Sequence, residues 1–183
     1  MVAILVSGFS LVVMLSFFAF FFRIYRDLTR LEKDVESSWG KINQLLKQRF
    51  DELPKLIVTV EAFMPSEAPA IHQVIASRDR YFQSEKFLGK VQADLALSRA
   101  IQDLLSRGES NLKLEANINF VQIHHRLTEL EESLMEQRQH YAAAASAFNR
   151  QIEALPDVFV ANFLGYAIKP PYLTSLPSER RAA

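Results

Sequence analysis

The sequence predicts an all-α chain, in which an N-terminal transmembrane helix continues into an antiparallel (up-and-down) bundle of three to four long helices. Three observations carry this. Residues 2–22 form an apolar run without a single charge; at about 1.5 Å per residue such a helix crosses the roughly 30 Å hydrocarbon core of a bilayer. Apolar residues recur at three- and four-residue steps from Phe120 to Leu155, the mark of a coiled coil or an up-and-down bundle. Glycine occurs only five times and never twice together, and so few sharp turns suit long helices better than sheets.

The apolar run is too long and too uniform for a core helix, which would leave one face polar. Only Met1 precedes it and five phenylalanines crowd its end, whereas a cleaved signal peptide has a basic start and small residues at the cut. An uncleaved anchor over residues 1–23 is therefore expected. Arg23, Arg26, Arg30 and Lys33 follow at once. Positive charge stays on the cytoplasmic side, so the N-terminus is expected outside and the domain inside the bacterial inner membrane. The same cations suit anionic headgroups, and Tyr25 suits the interface.

The helical pattern runs on through Leu28, Leu31, Val35, Ser38, Ile42, Leu45 and Arg49, with Trp39, Leu46 and Leu53 widening the stripe. Pro54 predicts a kink or break near Leu53, because proline removes one hydrogen bond and clashes with the preceding turn. Spacing resumes in Leu56, Ile57, Val60 and Phe63 before the turn Met64-Pro65-Ser66. Ser66 is placed to cap the next helix, with Pro69 in its first turn. Segments around 67–85 and 88–106 follow, with Gly89 as the weak point and one helix or two equally open. Gly108 reads as a helix terminator. The last long helix is expected to stop at Pro156, and the proline-rich stretch from Ile168 to Ala183 to be loosely held. The expected organisation is an anchor at 1–23, a helical bundle at 24–165 and a flexible tail at 166–183.

Several blocks carry a resemblance. Val35-x-x-x-Trp39-x-x-Ile42 and Leu46-Lys47-x-Arg49-Phe50-Asp51-x-Leu53-Pro54-x-Leu56-Ile57 resemble the first helix of the LemA family. Leu114-x-Ala116-Asn117-x-Asn119-Phe120 is similar to its C-terminal half, followed at family spacing by Leu127, Glu131, Arg138, Tyr141, Ala144, Asn149, Ile152 and Pro156. Phe163-Leu164-Gly165-Tyr166 and Tyr172-Leu173 resemble its ending. The resemblance implies a single N-terminal transmembrane helix, a cytoplasmic helical bundle and a family without an established molecular activity. Leu45, Gln48, Lys55, His124, His125 and Ala142 depart from the family pattern, so a partner held by those positions would differ here.

The residues themselves point to no reaction. Lys and Arg balance Asp and Glu at 21 each, and cysteine is absent, which removes disulfides and thiolate chemistry. His124 and His125 point about 100° apart on a helix and do not share a metal. No metalloprotease, nucleophile-elbow or phosphate-cradle motif occurs, and the aromatic residues lie on the apolar stripe rather than on a basic nucleic-acid face. Glu131 and Arg138, seven apart, and Lys47, Arg49 and Asp51 before Pro54 suggest a buried ion-pair network, read first as one that sets helix register and second as one that a partner or a conformational change breaks. Asn117, Asn119 and Asn149 are poor helix formers, expected to cap helices or bond across the bundle. No enzyme activity, cofactor, small-molecule substrate or nucleic acid is expected. The expected partners are the lipid bilayer and either a protein or further copies of the chain, with the bundle as a membrane scaffold. A membrane-shaping or organelle-forming role is the alternative, motivated by the phenylalanine-rich anchor and basic neck; a hydrolase or metal enzyme has no constellation behind it.

Overall fold

The computed structural model describes residues 2–172, with side chains from Gly8 onward. Six α-helices and one 3-10 turn make up the described residues, and no strand occurs among them. Helix α1 runs unbroken over Val2–Phe63, a 3-10 turn spans Pro65–Glu67, and α2 covers Ala68–Gln83. Then come α3 at Phe87–Glu109, α4 at Leu112–Glu115, α5 at Ile118–Glu153 and α6 at Asp157–Leu164. Among the described residues, one compact unit gathers those of Met1–Ser37 and Ala143–Lys169, the other those of Ser38–Ala142 and Pro170–Ala183. This division by packing falls at different places from residues 23 and 165, because α1 and α5 each run on through both units.

The second unit holds the larger core. Leu53, Leu56 and Val60 of α1 bury against Ile71 and Val74 of α2, Leu97, Ile101 and Leu104 of α3, and Phe120, Ile123 and Leu127 of α5. The stripe read from α1 is the buried face: Leu28, Val35, Ile42 and Arg49 are all sealed from solvent. Of the expected kink or break at Pro54, the break does not occur: α1 runs on through the proline. Its ring stands on the exposed side, where the carbonyl it leaves unpaired can turn to water, while Leu53 and Leu56 hold the backbone from inside.

Between α2 and α3 the chain turns at Ser84-Glu85-Lys86, so 67–106 is two helices. Gly89 lies inside the first turn of α3; a Cβ there would meet Ser84 Cβ at 3.2 Å. Ser66 belongs to the 3-10 turn and does not cap α2, whose first turn carries Pro69 as expected. On α3, Val91, Leu95, Ser98 and Leu105 face inward together with Asp94, Leu97, Ile101 and Leu104, while Leu88 and Gln102 are exposed. Helix α5 ends at Glu153, three residues before Pro156, so Leu155 falls outside it and is exposed.

Gly108 is no terminator either. It sits inside α3 with ordinary helical φ, and its missing side chain makes room for Phe120, whose Cζ would lie 2.4 Å from an added Cβ. Gly108→Ala adds about 1 kcal/mol of helix propensity but overpacks a filled core at about 1–3 kcal/mol. A lowered melting temperature of the full chain in mild detergent is the expected result; an unchanged or raised one would show that Phe120 yields freely. Gly165 is the true glycine stop. Its φ of 74° closes α6, and the Tyr166 N–H returns to the Ala161 carbonyl at 3.0 Å.

The expected loose tail does not hold for 166–172. In the first unit Tyr166 meets Thr29 at 3.2 Å, and Lys169 reaches Glu32 at 2.9 Å. In the second unit the Pro170 carbonyl accepts from Tyr141, and Tyr172 is buried. Leu173 and the remainder of that expectation lie outside the described residues.

Candidate functional site

The second unit encloses a ring of four charges. Arg49 of α1, one charged residue on an otherwise apolar stripe, donates to Asp94 Oδ1 on α3, to Glu131 Oε2 on α5 at 2.9 Å and to Ser98 Oγ at 2.9 Å. Arg138 of α5 faces it, donating to Asp94 Oδ2 at 2.7 and 3.1 Å and to Glu131 Oε1 at 2.9 Å. Tyr172 completes the set with a 2.5 Å hydrogen bond to Asp94 Oδ2. Two guanidiniums and two carboxylates cancel. Asp94 is fully buried, Arg49 and Arg138 nearly so, and Glu131 is the one half-open member.

Burial alone would push the Asp94 carboxyl up, but the Arg49 and Arg138 charges and the Tyr172 hydrogen bond outweigh it and hold it below the usual carboxylate range. Burial, then the Asp94 charge, pushes the Tyr172 phenol well above the usual value. Burial works against the Arg138 charge, yet Asp94 and Glu131 raise its pKa further still. Asp94, Arg138 and Tyr172 are thus each held in one protonation state at neutral pH, the opposite of the poised acid–base pair that proton-transfer catalysis requires. Arg49, Glu131 and Arg138 line a groove of about 550 Å³ whose other walls include Leu105, Leu127 and Met135.

Beside the ring lies an aromatic cluster. Trp39 packs on Phe87 at 5.1 Å between centroids and on Tyr141 at 6.0 Å, and Tyr172 stands edge-on to Tyr141 at 5.9 Å. Such tilted and edge-to-face pairs are favoured by the ring quadrupole. Tyr141 is buried, which raises its phenol.

The LemA family profile matches residues 38–183, four-fifths of the chain. The chain belongs to the LemA family. No curated protein matches it. The LemA match starts at Ser38, so the apolar run and the basic neck precede it.

Of the family-motif residues, Trp39, Arg49, Glu131, Arg138 and Tyr141 come together in the ring and its aromatic neighbour. Lys47 and Asp51 do not join them: both are exposed on the outer side of α1, because only every third or fourth residue of that helix faces inward. Pro54 and Asn119 are likewise exposed; both line a shallow groove of about 580 Å³. Asn117 caps α5, its Oδ1 accepting from the Asn119 and Phe120 N–H groups at 3.0 and 3.1 Å. In the first unit Asn149 clamps the backbone of Lys169, accepting its N–H and donating to its carbonyl, both at 2.9 Å.

Asp94, Ser98 and Tyr172 complete the ring and were not singled out as a site from the sequence. An aspartate among Val91, Ala93, Leu95 and Leu97, one helical turn before Ser98, is the signal that would have found the first two. His124, His125 and His140 each lie beside a glutamate, Glu109, Glu129 and Glu136, and no three metal-binding side chains gather among the described residues. Of the basic flank, Arg23 lies 3.9 Å from Asp27 and is exposed; Arg26, Arg30 and Lys33 line a groove of about 340 Å³ with Phe22 and Tyr25.

Proposed function

We infer that this LemA-family protein is a non-enzymatic scaffold, anchored by α1 in the bacterial inner membrane with its N-terminus outside. Its antiparallel helical bundle lies in the cytoplasm and presents helix faces to a protein partner or to further copies of the chain. The observation behind this is the N-terminal end of α1. Every described residue of Gly8–Phe20 is exposed, among them Phe9, Phe17 and Phe18 at 69–73%, and α1 is long and apolar enough to cross a bilayer. An exposed apolar surface of this kind supports the reading of lipid around it. The antiparallel arrangement draws support from α2 and α3, which pack along one another across a three-residue connection. The non-enzymatic reading draws support from the charge ring, in which each guanidinium is paired with both carboxylates.

Membranes bearing the full chain are expected to retain it through an alkaline carbonate wash. Crosslinking in those membranes is expected to capture either a discrete partner or a homo-oligomer. Release by carbonate would remove the anchor, and a monomer with no crosslinked species would remove the scaffold. Protease added to inverted vesicles is expected to digest the bundle, and protection there would reverse the orientation.

A further inference from the structure

Helix α6 exposes an apolar face without a partner. Phe159 and Phe163, one turn apart, are 70% and 82% exposed; Leu155 in the turn before and Ile168 just after are open as well. No charge interrupts this face. The one ionic residue of α6, Asp157, is buried and accepts from Gln151, while Val160 and Ala161 hold the opposite side in the packed unit. A patch of this size on a small unit marks an interaction surface.

The position of α6 says what covers it. The first unit contains both α6 and the membrane-spanning end of α1. Its packed part starts close to the lipid: Ile24, about 3 Å along the helix axis from the end of the apolar run, is already only 6% exposed, and Leu28 is sealed. Beyond α6 the chain touches α1 first at Thr29, through Tyr166, and then at Glu32, through Lys169. These contacts climb away from the bilayer as the chain leaves α6, which sets α6 at or below the level of Thr29, within about 10 Å of the apolar run's end. The cations of the neck stand at the same level, exposed, where anionic headgroups would meet them.

We propose that α6 is a second, interfacial membrane contact: its exposed phenylalanines, Phe159 and Phe163, seat in the headgroup–acyl boundary of the bilayer that α1 spans. This rests on the reading of α1 as a membrane anchor. A single transmembrane helix leaves its domain free to swivel, and a second foot fixes the unit against the surface.

The chain has no cysteine, so single reporters are unambiguous. The full chain, carrying a fluorophore at Phe163→Cys, Leu15→Cys or Glu36→Cys, is reconstituted into mixed phosphatidylcholine–phosphatidylglycerol vesicles. It is then challenged with aqueous iodide and with shallow spin-labelled lipid. Phe163 is exposed, so its replacement leaves packing intact; Glu36 stands about 20 Å beyond the apolar run and reports water. The expected result is loss of iodide quenching and strong lipid quenching at position 163, as at position 15, with the reverse at 36. A label at 163 that iodide reaches as freely as at 36, while 15 stays in lipid, overturns the proposal and leaves the anchor standing. A label at 163 shielded from both quenchers means that a second copy or another protein covers α6, and also overturns it. Iodide access at position 15 would instead overturn the anchor itself.

Discussion

Asp94→Asn is expected to lower the unfolding free energy by about 3–5 kcal/mol, since removing one partner of a buried ion pair strands the other in a medium that solvates it poorly. Two guanidiniums then share the single charge of Glu131, which is itself half-open to solvent. Chemical denaturation of the full chain in mild detergent measures the loss. The decisive companion is Asp94→Asn combined with Arg138→Met. It deletes one charge of each sign, leaves the Arg49–Glu131 pair balanced, and is expected to be more stable than Asp94→Asn alone. A double variant whose cost equals the sum of its parts would show that the ring is no electrostatic unit. The pH dependence follows from the same geometry. The folded pKa of Asp94 lies below its ordinary value of 3.8. Its stabilisation is therefore complete above about pH 4 and is lost as the pH falls through the depressed folded value. The Asn variant lacks that acid limb.

Tyr172→Ala is the second large effect, expected to cost about 3–5 kcal/mol for an emptied aromatic site. It vacates the cluster with Trp39, Phe87 and Tyr141 and removes the hydroxyl from Asp94. Tyr172→Phe separates the two contributions. It keeps the ring and loses one hydrogen bond to a charged acceptor, at about 1.5–3 kcal/mol. The phenol's folded pKa is raised above its ordinary 10.0, so the stability it brings is fully present below pH 10 and declines as the pH climbs beyond it. Wild-type chain is thus expected to weaken above pH 10 more steeply than Tyr172→Phe. Equal alkaline limbs in a denaturation series would mean that Tyr172 is not held in the ring.

The helical architecture was legible because α1 and α5 keep one face inward over long distances, so their spacing survives without knowledge of neighbours. Arg49 announced itself as a cation on that inward face, and Glu131 with Arg138 by their separation. Asp94 escaped because an aspartate ordinarily faces solvent, and nothing in the local spacing of α3 shows the two arginines that α1 and α5 bring to it. Tyr172 escaped for a different reason. A proline-rich end has no periodicity to betray that it folds back, and its anchorage comes from Asn149 and Tyr141, far away in sequence. Pro54 and Gly108 are both breakers by propensity that the helices contain, the one facing open solvent and the other making room for the Phe120 ring, although α3 does end one residue after Gly108.

The closed ring of charges also bears on where such a protein can work. Mobile ions weaken exposed pairs such as Arg107 with Asp103, both about half open, because they gather around each partner within a Debye length of about 8 Å in cellular salt. Asp94 itself is sealed from solvent. A change of salt around the bundle is therefore expected to leave the pairs of Asp94 with Arg49 and Arg138 little altered, and to reach the half-open Glu131 first.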